Sequence, residues 1–466
     1  MQAYLKTSVR KEQLFLLVCD AFMVFLVFYG SYLFRIVVYE GKDVSFFWQR
    51  MSGLVPLAVL IHLIVFYIFE LYDIKIQKVD GKQFLRIILS VLLATGIIVL
   101  SSYVFPHQKK IGRVLISFHM ILLILAIYLW RKLYFSSLSA EGYKKNFICI
   151  GHTPTNRKIV AELQNSLLPE YNWVGTVTDY SDNPGTVALN GTKIYPNLET
   201  LLKTKDVQAI VLSEYPKENP SLAKDLIDLK FKGFEILDFP TFHQKLFGKM
   251  PVLKTRDSWL LYCQQQKCFQ PQLYLKIKRL ADVTLSVAGL ILSLPLFLLS
   301  ALTVKFTSKG PIFFSQERLG LNEKPFTLIK FRTMVQDAEK DCGPKWSSTN
   351  DPRITTVGKF LRKTRIDEIP QLFNILKGEM SFVGPRPIRR HFADLLSKEF
   401  PFYRLRFSVR PGVTGWAQVK GDYAGSKVGQ LRKLEYELFY IQNRSSFFDL
   451  FIILKTIQTV LFRQGE

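Results

Sequence analysis

Hydrophobic and polar positions alternate along this chain in four successive patterns. The first is a set of long apolar runs at 13–38, 54–69, 84–105 and 114–129. A bilayer core of about 30 Å needs about 20 helical residues. The longer runs meet that length, and the second does so when extended through 66–72. The pattern predicts four membrane helices. From 146 onward, short β-rich runs alternate with helical ones: 147–151, 173–179, 207–213 and 233–239 read as strands of a small parallel α/β sheet. A fifth apolar run of 25 residues, 280–304, has Pro295 in its middle. In the last third, Ile369, Leu372, Phe373 and Leu376 stand at i, i+3, i+4 and i+7, one apolar helix face. Pro370 confines the helix start to the vicinity of Asp367 and Glu368, and Gly378 predicts its stop.

Flanking charge orients the runs. Lys6, Arg10, Lys11, Lys75, Lys78, Lys82, Arg86, Arg131, Lys132, Lys144 and Lys145 fall on one side; Arg35, Lys42, Arg50, Lys109, Lys110 and Arg113 fall on the other. Positive residues concentrate in the cytoplasm, so both ends of the bundle are expected there. The fifth run has Lys276, Lys278 and Arg279 before it and Lys305 and Lys309 after it. Cations at both ends argue against a crossing. A helix–break–helix hairpin that re-enters the same leaflet, broken at Ser293, Leu294 and Pro295, is expected instead. Within the first run, Asp20 is an intramembrane carboxylate, a functional candidate by default. His62 and His119 read as packing residues.

Composition narrows the class. The chain has 466 residues, is 48% hydrophobic, and carries a formal net charge of +24. The excess suits cytoplasmic loops, anionic lipid surfaces and a phosphate-bearing ligand. No zinc spacing, RNA-binding signature or basic heptad supports nucleic acid. Five cysteines, Cys19, Cys149, Cys263, Cys268 and Cys342, are scattered and form no CxxC, which reads as free thiols in a reducing compartment. The turn after the first β-run, Gly151-His152-Thr153-Pro154-Thr155, lacks the Gly-x-Gly-x-x-Gly needed for close approach to a pyrophosphate. The middle segment is therefore expected to be a degenerate Rossmann-like module for assembly or regulation.

The candidate chemistry centres on Asp367-Glu368. Alone, an acidic pair at a helix start caps it and complements its dipole. Here Arg362, Lys363, Arg365 and Arg386 surround the pair in sequence, an arrangement able to hold a phosphate together with a divalent cation.

The segments 310–320, 325–334, 350–387, 410–423 and 434–445, which include QERLG, KFRTM, RIDEIPQLFNILKGEMSFVGPRP and RPGVTGW, closely resemble the bacterial sugar transferases, the polyprenyl-phosphate hexose-1-phosphate transferases. With the helical front end, the resemblance is to their large monotopic phosphoglycosyl transferases. It implies a four-helix transmembrane bundle at 1–137, a Rossmann-like α/β domain at 138–265, and a mainly α monotopic catalytic domain at 272–466 with its hairpin at 280–304. It further implies an enzyme of the bacterial inner membrane, its catalytic domain cytoplasmic. That enzyme moves a sugar-1-phosphate from a UDP-sugar to undecaprenyl phosphate, releases UMP, and starts exopolysaccharide, capsule or O-antigen synthesis. In the family's dyad the Asp is the nucleophile, here Asp367, and Glu368 then holds Mg²⁺. A carboxylate attacking phosphorus splits one displacement into two, and needs no base at neutral pH.

Expected phosphate or nucleotide contacts are Arg318, Lys330, Arg332, Arg362, Arg386 and Arg410. Lys278 and Arg279 are placed for the polyprenyl phosphate head, with Asp282 pairing with them or capping the hairpin's first helix. The tail, with Phe447, Phe448, Leu450, Phe451, Ile453, Leu454, Ile457, Val460 and Leu461 on a wide apolar face, reads as an in-plane interfacial helix. A homodimer is the default assembly. UDP-glucose is the family's first guess for the donor. Two rivals remain. A membrane-tethered nucleotide-sugar epimerase or dehydratase would use Tyr274-x-x-x-Lys278, and a non-catalytic scaffold would use no chemistry at all.

Overall fold

The computed structural model of the chain describes residues 11–34, 54–69, 71–72, 81–104, 113–138, 145–151, 171–177, 194–195, 198, 202, 206–212, 220–255, 272–308, 310–335, 351–421 and 426–462. They form two compact units, Met1–Phe242 and His243–Glu466. His152, Cys263, Cys268, Cys342 and most of the orienting loop cations lie outside the described residues.

In the first unit the apolar runs become α1 (Lys11–Leu33), α2 (Leu54–Ile68), α3 (Gly81–Val104) and α4 (Arg113–Leu138). Leu16, Val24, Phe66, Ile87, Val91, Leu123 and Ile127 form their shared core. Outward leucines such as Leu100 and Leu133 stay about two-thirds exposed (66% and 67%), as lipid-facing positions do. Stretches within α1, α3 and α4 are long and apolar enough to cross a membrane, whereas Val55–Ile68 of α2 is shorter. The expected status of Asp20 and Arg131 changes here. Arg131 is no loop cation: it is buried, donates 2.6 Å to Asp20 Oδ2, and also bonds the Leu71 carbonyl. The intramembrane carboxylate is thus half of an ion pair joining α1, α4 and the end of α2. His62 and His119 pack at 5.9 Å inside the bundle.

The same unit continues with β1 (Lys145–Ile150), β2 (Tyr171–Val177), β3 (Ile194–Tyr195), β4 (Ala209–Leu212), α5 (Pro220–Phe231) and β5 (Glu235–Asp238). All five strands are parallel, in the order β3-β2-β1-β4-β5. Four of them follow the predicted β-runs. The two-residue β3 has too little pattern to read. Ile148, Ile150, Val177 and Ile210 pack with Leu222, Leu226 and Leu229 of α5.

In the second unit, the end of α6 (Phe239–Phe247) leads by way of Gly248–Thr255 toward α7 (Gln272–Thr307), a helix of 36 residues. Helical backbone continues through Ser293, Leu294 and Pro295, so the proline costs a hydrogen bond but opens no break in the helix. The residues of α7 nevertheless sort into two legs. Tyr274, Asp282 and Ser286 are buried in the first, Ser300 and Val304 in the second, and none between. Leu292, near the middle, is 82% exposed. Both legs dock on the same globular core. Gly289 of the first approaches Leu372, and Phe297 of the second lies 5.0 Å from Phe331 and 6.3 Å from Phe373.

That core starts with the antiparallel pair β6 (Phe313–Leu319) and β7 (Pro325–Phe331), joined by a turn with Asn322 and Glu323 left-handed. Next come α8 (Thr356–Lys363), a 3₁₀ turn at Ile366–Glu368, and α9 (Gln371–Lys377). The strand β8 (Ser381–Val383) follows, then α10 (Arg390–Glu399) and β9 (Gly412–Thr414), which pairs parallel to β8. The chain ends in α11 (Trp416–Lys420), α12 (Lys427–Gln442) and α13 (Ser446–Phe462). Phe448 and Ile452 bury one face of α13, while Phe447, Leu450, Ile457 and Val460 leave a second apolar face exposed. The tail is packed on one apolar face and presents another.

Candidate active site

The helix expected to begin at Asp367-Glu368 begins later. Pro370 caps α9, and the two acids occupy the 3₁₀ turn before it, with Arg365 in a left-handed conformation at φ 59° leading in. Gly378 ends α9 at φ 87°, the conformation that favours glycine there. The burial of α9 also differs from its apolar stripe. Gln371, Asn374 and Ile375 are buried, whereas Leu372 and Phe373 turn toward α7. Asn374 decides this. Its side chain donates to the Thr327 carbonyl (2.7 Å) and Glu379 (2.7 Å) and accepts from Ile329 N (3.2 Å), fixing α9 to β7. A polar residue on the buried face defeats a periodicity that counts only apolar ones.

This docking puts Lys330 of β7 over the acids. Its Nζ is 3.0 Å from Glu368 Oε1 and 4.0 Å from Asp367 Oδ2. The same Glu368 oxygen receives Arg386 at 3.1 Å and Arg365 at 3.7 Å. Arg362 donates to Thr333 (2.8 Å) and acts on Asp367 electrostatically. Arg386 is presented by the turn after β8, which needs its glycines: a Cβ on Gly384 would meet Arg410 O at 2.4 Å, and one on Gly412 would meet Gly384 N at 2.1 Å.

The two carboxylates are driven apart in acidity. Burial works against the Glu368 charge, yet Lys330, Arg386 and Arg365 together hold it well below the usual carboxylate range. For Asp367, burial prevails and raises it, aided by its neighbour Glu368 and opposed by Lys330, Arg362 and Arg386. Asp367 Oδ1 is buried without a hydrogen-bond partner among the described residues. One carboxylate is locked by cations; the other keeps an uncommitted oxygen. Environments that separate two acids in this way also separate their roles.

A hard cation fits this donor set. Mg²⁺ takes one or two carboxylates and completes its octahedron with water and substrate phosphate. The Glu368 oxygen not shared by the three cations would hold it, leaving Asp367 Oδ1 uncommitted. No group of three acidic, His or Cys ligands occurs among the described residues.

Four predicted cations, Lys330, Arg362, Arg386 and Arg318, lie on this side of the core. Arg318 donates to Gln316 and shares an electrostatic neighbourhood with Arg386, Arg406 and Lys433. Arg332 does not join them. It is buried and holds Ser308, just past α7, through the carbonyl and hydroxyl, both at 2.7 Å. Arg410 and Arg279 are also engaged elsewhere, on the carbonyls at the C-terminal end of α9: Gly378 for the first, Ile375 and Leu376 for the second. Lys278 pairs with Asp449 at 2.8 Å. Asp282 neither caps α7 nor pairs with these cations; it accepts from Ser381 Oγ and Phe382 N, fastening α7 to β8.

Arg365, expected beside the pair, is there; sequence reasoning missed Lys433 and the buried Arg406–Glu437 pair (2.8 Å). Arg406 also donates to the Arg386 carbonyl (2.9 Å), bracing that turn. Lys433 precedes Glu437 by one helical turn, a signal that was available in the KLEYE segment. Burial and the three arginines push its ammonium down to about 8.

Comparison with known proteins follows the same boundary. Residues 273–463 match the family described as Bacterial sugar transferase. Over 222 residues the chain is 40% identical to the UDP-N-acetylgalactosamine-undecaprenyl-phosphate N-acetylgalactosaminephosphotransferase of Aeromonas hydrophila, covering 48% of this chain and 52% of that one. It is 41% identical to the undecaprenyl-phosphate glucose phosphotransferase of Komagataeibacter xylinus, covering 40% of this chain and 36% of that one. It is 39% identical over 203 residues to the exopolysaccharide production protein ExoY of Rhizobium meliloti (strain 1021), covering 41% of this chain and 87% of that one. The matched part thus spans about half or less of the first two relatives.

Proposed function

We propose, from the premise that this chain belongs to the bacterial sugar transferase family, that it transfers a sugar-1-phosphate from a UDP-sugar to undecaprenyl phosphate. The observation that carries this reading is the split pair: Glu368 held by three cations, Asp367 beside it with a buried, unpartnered oxygen. Asp367 attacks the phosphorus that bears the sugar. The P–O bond to the nucleotide breaks and UMP leaves with that bond's electron pair. The phosphate oxygen of the lipid then attacks the same phosphorus, and the Asp367 carboxylate is regenerated. Lys330, Arg362 and Arg386 stabilise the charge spread over the equatorial oxygens. Mg²⁺, when bound, neutralises charge on the transferring phosphoryl group. Arg318 and Lys433 extend the cationic surface toward the nucleotide.

The reading also requires both ends of α7 on one side of the bilayer, the cytoplasmic face of the inner membrane. Two hydrogen bonds support it. Trp416 Nε1 donates to Gly248 O (2.7 Å), and Met250 N to Glu435 O (3.0 Å), joining chain that precedes α7 to chain that follows it. A crossing helix would set these partners in different compartments. A helix docked along one face, with Leu292 exposed at its middle and Pro295 removing one hydrogen bond there, would dip into one leaflet and return.

The test is UMP release by the full chain with undecaprenyl phosphate and Mg²⁺ across a panel of UDP-sugars. Asp367→Asn is expected to abolish release and to leave no acid-stable adduct with sugar-labelled donor. Retained release in that variant would sink the assignment. The relatives act on different sugars by name, so the panel also identifies the donor.

A further inference from the structure

A cavity of about 940 Å³ among the described residues of the second unit lies away from the carboxylates. Its wall carries Lys276, Lys278, Arg279, Arg410 and Arg444, and no acidic side chain lines it. None of the cations around Asp367 and Glu368, namely Lys330, Arg362, Arg365 and Arg386, takes part. The two places are separated by α9: the acids precede its first residue, and Arg279 and Arg410 hold its last carbonyls. Seven residues at 1.5 Å each make that about 10 Å. A phosphate held here would be out of reach of the reacting phosphorus.

Lys278 is paired with Asp449 and Arg444 bonds the Ile441 carbonyl, while Arg279 and Arg410 donate to neutral carbonyls, which satisfies N–H groups without cancelling charge. The remaining wall is apolar. Leu275, Leu280 and Val283 come from the first leg of α7, where Leu273 and Leu280 are 64% and 66% exposed. A ligand matching both halves is anionic at one end and hydrocarbon at the other.

We propose that this cavity is a non-reacting lipid site, holding the phosphate head of an anionic membrane phospholipid against Arg410, Arg444 and Lys276 while its chain lies along Leu275, Leu280 and Val283. Its effect is to fix the first leg of α7, and through Arg279 the end of α9, in the membrane surface. Juxtamembrane cations add attraction toward an anionic leaflet.

The test uses the full chain in nanodiscs of phosphatidylcholine with or without phosphatidylglycerol, read by thermal unfolding and by phospholipid retained after detergent extraction. The native chain is expected to unfold several degrees higher with phosphatidylglycerol and to retain it. The Lys276→Gln/Arg444→Gln variant is expected to lose most of both effects, and Lys276→Arg/Arg444→Lys to keep them. Equal protection of the native chain and the Gln variant would overturn the proposal. So would equal protection by inorganic phosphate without lipid. Protection that depends on these residues but comes only from polyprenyl phosphate would make the cavity an acceptor site and overturn it too. The readout needs no transfer activity, so it stands or fails independently of the proposed reaction.

Discussion

A single lysine sets the balance between the two acids. Lys330 is the cation closest to Glu368 and the first of those lowering Asp367. Lys330→Met is expected to slow the UMP burst by about 10²-fold, as loss of one oriented donor does. It should also move the acid limb of the burst upward, because the ionised nucleophile loses its main support. Burst amplitude against pH checks both. Lys433 gives a stability prediction with a definite sign. Its folded value, about 8, lies below the unfolded value of about 10.4. The penalty for its charge is therefore complete below about pH 8 and fades as pH rises toward 10.4. Lys433→Met is expected to stabilise the ligand-free chain at pH 7, by on the order of 1 kcal/mol once the lost packing of its stem is subtracted, and to show no gain at pH 10. Unfolding temperatures at the two pH values decide this. The acids themselves were legible in sequence because their types and spacing carry the chemistry. Lys433 was not, because a Lys–Glu pair one helical turn apart looks the same on any solvated helix face.

At the level of elements, α9 acts as the mount for the site. Asn374 is fully buried and bonds the β7 backbone on both sides of Leu328. Asn374→Ala strips two backbone groups of their partner, at about 1–3 kcal/mol each, less any relaxation. The expected result is a fall of about 2–4 kcal/mol in denaturant-measured stability. UMP release should fall as well, because Lys330 and the acids then lose their register. The turn after β8 is the second mount. Gly384→Ala forces a Cβ against the Arg410 carbonyl, which cannot retreat without breaking the β8–β9 pairing. That variant is expected to lose activity even if folded, with circular dichroism as the control for folding. The helix, its glycine stop and its apolar stripe were readable from the chain. Its buried face was not, since the residue that orients it is an amide whose partners come from a strand 45 residues earlier for one bond and 47 for the other.

Across the whole molecule the decisive property is sidedness. Leu253 and Lys324, both exposed, flank α7 in the chain. Single cysteines placed there are expected to react with a membrane-impermeant reagent from the same side of sealed vesicles; labelling from opposite sides would remove the donor's access to Asp367. The sequence by itself determined the sites of the membrane helices, the parallel strands of the middle segment, and the acidic pair with most of its cations. Each of these is written in local periodicity or in the identity of neighbouring residues. Only the tertiary structure decided which cations meet the acids and which are spent elsewhere: Arg332 on Ser308, Arg279 and Arg410 on α9, Arg131 on Asp20. A guanidinium's charge is fixed by its covalent structure, but its partner is whatever distant backbone the fold brings within about 3 Å. That distance is not encoded in any one stretch of chain.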